Sequence, residues 1–292
     1  MRIVVTAKYV PDATGDRHFS DDWTVDRDNV DGLLSELDEY AVEQALQIFE
    51  NSEDDVENTV LTVGPEDSKD ALRKALSMGA DRAIHVEDDD LHGTDALGTS
   101  LVLAKAVEKA GYDLVICGMA STDGTMGVVP ALLAERLGVP QVTLLSDVLV
   151  EDGMVVGRRD GDAASERLEA ALPAVVSVTD QSGEARYPSF KGIMAAKKRP
   201  VESWDLSDLE IEAEEVGQFG YTEDLDYELR DIRSDISGCD DKIAKVEEEL
   251  GDRSAARGAS RPHVRRWTEM RVYGRRKGIP SSSRPSQRPC WR

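Results

Sequence analysis

Residues 113–138, DLVICG-MASTDGTMGV-VPALLAERLG, hold the densest set of groups that could grip an anion. An apolar run reads as a strand and ends at Gly118. Ala120, Ser121, Thr122, Gly124, Thr125 and Gly127 follow, before Val128–Leu137 takes up helical spacing. Small residues let backbone N–H groups come close to a phosphate, and hydroxyls can donate to its oxygens. The helix behind them adds the positive end of its dipole. Asp123 repels phosphate unless it bonds the loop backbone or a ribose hydroxyl. On pattern alone, a nucleotide site and an ordinary tight strand–helix connection both stay open. No other chemistry has such a set. His18, His85, His92 and His263 are not spaced to meet a Ser, Cys or Asp through local structure, and GxSxG, GxxxxGK[ST] and HExxH are absent. Cys117, Cys239 and Cys290 make no CxxC pair, which argues against a zinc site or a disulfide framework. Cys117, inside DLVICG, reads as a buried structural thiol.

The loop needs a strand and a helix to hold it, and the chain supplies them repeatedly. Arg2–Tyr9 reads as a first strand, followed by a polar, turn-rich stretch from Pro11 to Gly32. Glu39–Glu50 has apolar residues at helical spacing. Thr59–Val63 is a second strand ended by Gly64-Pro65, and a helix capped by Ser68 runs to Met78. Arg82–Val86, a helix over Asp95–Ala110, and Asp113–Cys117 continue the alternation. This order predicts an α/β fold with a doubly wound, mostly parallel sheet. Val142–Val150 and Val155–Arg159, separated by Asp152-Gly153, read as a hairpin, and Ala174–Thr179 as a further buried strand. These predict a sheet that is mixed at one edge. Three regions follow: an α/β nucleotide-binding domain over 1–181, a docking loop and extended arm over 182–251, and a basic tail over 252–292. The arm is expected to bury little against its own domain.

The net charge is −23, but it is unevenly spread. The last 41 residues carry 12 Lys+Arg against 2 Asp+Glu, which leaves 23 of the 35 basic and 56 of the 58 acidic residues to 1–251, a net of −33. Scattered carboxylates on an otherwise ordinary α/β pattern suit a cytoplasm of very high salt, as in halophilic archaea, where screening removes the repulsion. An acidic surface that docks a basic partner is the alternative. Phosphate repels such a surface, so nucleic acid is not expected as a partner. The abrupt loss of acid after residue 251 reads as a segment under different selection, as after a frameshift; a basic arm for nucleic acid is the rival. No apolar run reaches the length of a membrane span, and MRIVVTAKYV lacks the layout of a secretory signal, so a cytoplasmic protein without direct membrane insertion is expected.

Ordered matches through residues 1–217 resemble the beta subunits of electron-transfer flavoproteins. Lys8 with Val10-Pro11-Asp12 follows the first strand, and Asp38-Glu39 with Ala41-Val42-Glu43 opens the first helix. Gly64-Pro65 leads into Ala71-Leu72-Arg73 and the specific run Ala75-Leu76-Ser77-Met78-Gly79-Ala80-Asp81-Arg82. Glu166, Leu168 and Pro173-Ala174-Val175-Val176-Ser177 fit the second half of the family signature. Arg186-Tyr187-Pro188-Ser189 through Gly192-Ile193-Met194 to Ala196-Lys197-Lys198-Arg199-Pro200 resembles its basic loop. The phosphate loop is one residue shorter than usual before Pro130 and lacks the family's Gln; the Arg158–Gly161 part is also one residue short, and Ser35-Glu36 replaces an Asn-Pro.

The resemblance implies an adenine-nucleotide alpha-hydrolase-like, Rossmann-like sheet and a heterodimer with an alpha subunit that holds most contacts to FAD. It implies structural AMP in this chain, touched by Thr6, Ser35, Val63, Asp123, Gly124, Thr125, Met126, Gly127 and Val128. Electrons would come from acyl-CoA or other flavin dehydrogenases and pass to a quinone reductase; no catalytic residue is implied. Tyr187, Phe190, Ile193, Met194, Lys197 and Lys198 would dock the dehydrogenase, with Phe190 as the inserted anchor. The residue pattern alone would instead bury Phe190 in a short helix. Two alternatives remain: a bifurcating member with a second FAD and an NADH site, and a stand-alone nucleotide-binding protein like the universal stress proteins.

Overall fold

The computed structural model describes residues 1–217 except Asp16, Asp22, Trp23 and Asp28. The expectations for 218–292, including the basic tail, lie outside the described residues. In chain order the elements are β1 (Arg2–Thr6), β2 (Tyr9–Pro11), β3 (Gly32–Leu34), α1 (Glu36–Asn51), β4 (Glu57–Val63), α2 (Lys69–Met78) and β5 (Arg82–Val86). Then come α3 (Ala96–Ala110), β6 (Leu114–Gly118), α4 (Val129–Leu137), β7 (Gln141–Leu145), β8 (Asp147–Glu151), β9 (Met154–Asp160), β10 (Ser165–Ala171), β11 (Ala174–Val178), α5 (Phe190–Ala196) and β12 (Glu202–Trp204).

Seven strands form the central sheet in the order β12-β5-β4-β1-β6-β11-β7. Every pairing in it is parallel. The strands alternate between two cores, because successive side chains leave opposite faces. Ile3, Val5, Leu114, Ile116 and Val176 enter one core with α1 and α2, while Val4, Val115, Cys117 and Val175 enter the other with α3 and α4. Both faces are therefore covered, and the strands read as continuous apolar runs for that reason. Cys117 is 2% exposed and burial pushes its thiol up to about 12, which makes it an inert core residue as read.

Several expectations change. The antiparallel strands do not form a mixed edge: β8, β9 and β10 make a sheet of their own. The single strand read over Val142–Val150 is two strands in two sheets. The chain turns at Leu144, which has φ 62°, and the Ser146 amide donates to the Arg158 carbonyl at 2.7 Å. Hydrophobic alternation cannot register a bend that keeps the apolar pattern running across it. β10 has mostly exposed residues and so carries no apolar run that marks it as a strand. The Asp152-Gly153 hairpin is present, with φ 50° and 74° at the two residues, the left-handed pair that this turn requires. Ser68 precedes α2 but its side chain makes no cap.

The arm also differs through residue 217. β12 adds to the sheet beside β5, and Leu206, Leu209, Ile211 and Val216 are buried in the α3/α4 core. Lys109 of α3 lies 4.6 Å from the centre of the Trp204 ring and donates to the Asp208 carbonyl at 2.8 Å. Among the described residues no helix is long and apolar enough to cross a membrane.

Candidate functional site

Along the central sheet the chain order reverses between β1 and β6, and ligands of such sheets bind at the carboxyl ends of strands at that switch point. Two segments leave there: Ala7-Lys8 after β1 and the 119–128 loop after β6. An ion-pair cluster ties them together. Lys8 Nζ lies 2.8 Å from Asp123 Oδ1, and Arg27 Nη2 lies 3.0 Å from Asp123 Oδ2. Gly124 donates its amide to Asp123 Oδ1 at 2.6 Å, and Arg17 donates to the Thr122 carbonyl at 3.0 Å. The Asp123 side chain is only 5% exposed. Burial alone would raise its carboxyl, but Lys8, Ser121 and Arg27 hold it well below the usual carboxylate range. Asp123 thus bonds the loop backbone and is neutralised by two cations, so it does not project charge toward a phosphate.

Beyond Asp123 the loop opens. Gly124, Thr125, Met126 and Gly127 are exposed, and Thr125 and Gly127 take φ 54° and 65°. The Gly124 and Thr125 amides are used inside the loop, by Asp123 Oδ1 and the Ser121 carbonyl, which leaves Met126 and Gly127 immediately ahead of the N-terminus of α4. Ser35 stands before α1, fully buried, and its amide donates to the Lys8 carbonyl at 2.9 Å. A serine in this position ordinarily accepts from the first turn of its helix. Here it makes no such cap, and its Oγ is buried without a partner. An orphaned hydroxyl at the start of α1 and an exposed loop ahead of α4, both at the carboxyl ends of the strands, fit a nucleotide, whose ribose and phosphate oxygens could use them.

Asp38, in the first turn of α1, seals the floor. It accepts the Lys8 amide at 2.8 Å and also bonds the Gly118 amide. Burial pushes its carboxyl up to about 7 against these bonds. A folded pKa above the unfolded 3.8 means that Asp38 contributes stability fully below about pH 4 and loses it as pH rises to about 7. Asp123 has the opposite sign: its contribution is present above 3.8 and is lost as pH falls below that value. Asp123→Asn is expected to cost about 1–2 kcal/mol at pH 7, a value discounted for the partial exposure of Lys8 and Arg27. It should also flatten the fall in stability below pH 4. Urea unfolding across pH checks both.

Thr6 ends β1 at 9% exposure, Val63 ends β4 one strand away, and Val128 joins the loop to α4. The structure therefore brings the nine expected nucleotide residues to one rim of the sheet. Sequence reasoning missed Arg27 and the role of Asp38. Neither carries a local signal, since both act across more than 25 residues.

Residues 22–209 match the family model described as the electron transfer flavoprotein domain. The chain belongs to the electron transfer flavoprotein family. It is 50% identical over 220 residues to electron transfer flavoprotein subunit beta of Mycobacterium tuberculosis, covering 74% of this chain and 83% of that protein. Subunit beta of Megasphaera elsdenii is 32% identical over 227 residues, covering 75% and 84%. The caffeyl-CoA reductase-Etf complex subunit CarD of Acetobacterium woodii is 33% identical over 218 residues, covering 74% and 83%.

In this electron transfer flavoprotein chain the 185–200 segment forms a ridge built around α5. Tyr187 is 94% exposed and Phe190 81%, and Ile193, Met194, Lys197 and Lys198 are exposed beside them. The reading of Phe190 as a core residue does not hold, because only Ala196 of this short helix is buried. Two arginines brace the ridge. Arg186 Nε and Nη1 reach Glu43 Oε2 at 2.7 Å and Glu50 Oε1 at 2.6 Å, both on α1. Arg73 of α2 donates to the Ala196 and Arg199 carbonyls at 2.7 and 2.6 Å. Gly192 lies so close to α2 that a Cβ would meet the Ser77 carbonyl oxygen at 2.4 Å. Arg186→Ala is expected to cost about 2–3 kcal/mol, since it strands the 5%-exposed Glu43. Faster proteolysis at 185–200 should accompany the loss.

Proposed function

We propose that this chain is the beta subunit of a heterodimeric electron-transfer flavoprotein that holds AMP structurally in the crevice between β1 and β6. The supporting observation is the orphaned Ser35 hydroxyl at the same end of the sheet as the exposed 124–127 loop. Thr6, Ser35 and Val63 line the nucleoside side, and Asp123–Val128 supply the phosphate side. Lys8 and Arg27 keep the loop in place through Asp123. FAD, held mainly by the alpha subunit, supplies the redox chemistry. This chain's residues bind, orient and dock, and none acts as a catalytic group.

The α5 ridge is the docking surface for acyl-CoA or other flavin dehydrogenases, and a quinone reductase takes the electrons onward. Phe190 inserts as the anchor, and Tyr187, Ile193 and Met194 surround it. Lys197 and Lys198 steer an acidic partner at short range. The acidic surface of residues 1–251 suits a cytoplasm of high salt.

A second reading, a bifurcating subunit with its own FAD and an NADH site, rests on the similarity to a reductase-complex subunit. Family membership leaves the stand-alone stress-type reading without support. Co-expression with the candidate alpha subunit in high salt, followed by counting flavin and AMP per heterodimer, tests the proposal. One FAD and one AMP are expected. Two FAD and no AMP would mean the second reading, and failure to pair would overturn both.

A further inference from the structure

A second cluster stands at the carboxyl ends of β4 and β5, one and two strands along the sheet from β1 and next to Val63. Gly64-Pro65 ends β4, a single 3₁₀ turn over Glu66–Ser68 follows, and β5 brings His85 alongside. His85 is fully buried. Its Nε2 lies 2.8 Å from the Gly64 carbonyl oxygen. A carbonyl can only accept, so Nε2 carries a proton, and in the neutral ring Nδ1 is left with a lone pair. Nδ1 is buried without a hydrogen-bond partner and points at Glu87 Oε2, 3.5 Å away. Glu66 completes the group: one ligand atom from each of the three lies within 4.8 Å of the others.

A lone pair facing a carboxylate oxygen from a buried ring is unfavourable unless a proton or a cation lies between them. The cluster already draws one. Lys69 Nζ pairs with Glu66 and lies 3.7 Å from Glu87 Oε2. Two carboxylates against one ammonium still leave the group one charge negative.

We propose that Glu66, His85 and Glu87 form a binding site for a divalent first-row transition ion, with Lys69 as a built-in competitor that swings out when the ion enters. One imidazole nitrogen and two carboxylate oxygens are a borderline donor set of the kind zinc accepts. The 3.5 Å between Nδ1 and Oε2 is close to the edge, about 3.4 Å, of a tetrahedron with zinc-like bonds. The Nε2–H···O=C bond to Gly64 is the outer contact that metal-binding histidines use to fix tautomer and ring orientation. Glu87 is held in place by its amide, which donates to the Trp204 carbonyl at 3.0 Å. Glu66 is exposed and gives the ion a way in. Three protein ligands leave a fourth position for water.

The test uses the full chain with its co-purifying subunit, stripped by chelator and titrated with Zn²⁺ alone by calorimetry and thermal unfolding. One ion per chain and a raised Tm are expected. Glu66→Gln, at an exposed position that leaves the fold intact, should weaken binding at least about tenfold. Lys69→Gln should strengthen it by about tenfold, since it removes a cation from the site. The opposite signs separate this site from chance binding at other histidines. Absence of saturable binding, or binding that neither variant changes, overturns the proposal. Nitrogen NMR gives an independent reading: Nδ1 of His85 should be unprotonated without metal and shift on adding zinc. A proton on Nδ1 and no zinc-dependent shift overturns it.

Discussion

Gly118→Ala is expected to destabilise the chain by about 3 kcal/mol, the upper end of overpacking costs, and to lower Tm by roughly 6–12 °C. Gly118 ends β6 against the first turn of α1. A Cβ there would lie 2.5 Å from Asp38 Oδ1 and 2.9 Å from the Leu37 carbonyl oxygen. Neither neighbour can yield cheaply. One is helix backbone, and the other is a buried carboxylate held by the Lys8 and Gly118 amides. Relief requires α1 to lift from the sheet, and Ser35 would move with it. Nucleotide affinity should therefore fall together with stability. Thermal unfolding with and without AMP reads both; an unchanged Tm would mean that α1 is not seated on β6 as described.

Phe190→Ala is expected to lower kcat/KM for reduction by an acyl-CoA dehydrogenase by about 30-fold, which corresponds to about 2 kcal/mol of lost anchoring. Tm should stay nearly unchanged, because an 81%-exposed ring stabilises little in the free chain. The two readouts separate docking from folding. The ridge beneath Phe190 is held at both ends: Arg186 is clamped to α1, and Arg73 binds the carbonyls of Ala196, which ends α5, and of Arg199 beyond it. Loss of the ring should therefore remove contact area without reorganising the surface around it. A fall in Tm that matches the fall in rate would assign Phe190 a structural role.

Much of the fold was legible locally. Continuous apolar strands, helices closed by Gly111 and Gly138, and the Asp152-Gly153 turn are each written within a few residues, because backbone preference and side-chain period act at that range. The small-residue loop after β6 was legible for the same reason. What needed the tertiary structure were long-range events. The break at Leu144–Ser146 depends on an amide finding Arg158, and β12 depends on a partner strand more than 100 residues earlier. The exposure of Phe190 follows from α5 using its Gly192 side, not an apolar stripe, to reach α2.

By itself the sequence determined a mostly parallel α/β sheet, its winding, and which loop could take a phosphate, since these follow from periodicity and from small residues at a strand's end. Only the tertiary structure decided that Asp123 is neutralised by Lys8 and Arg27, that Ser35 keeps a free hydroxyl, and that His85 turns an unpartnered nitrogen toward Glu87. The physical reason is common to all three. The charge state and hydrogen bonding of a buried polar group are set by whichever groups the fold brings within about 4 Å of it, and spacing along the chain does not encode that distance.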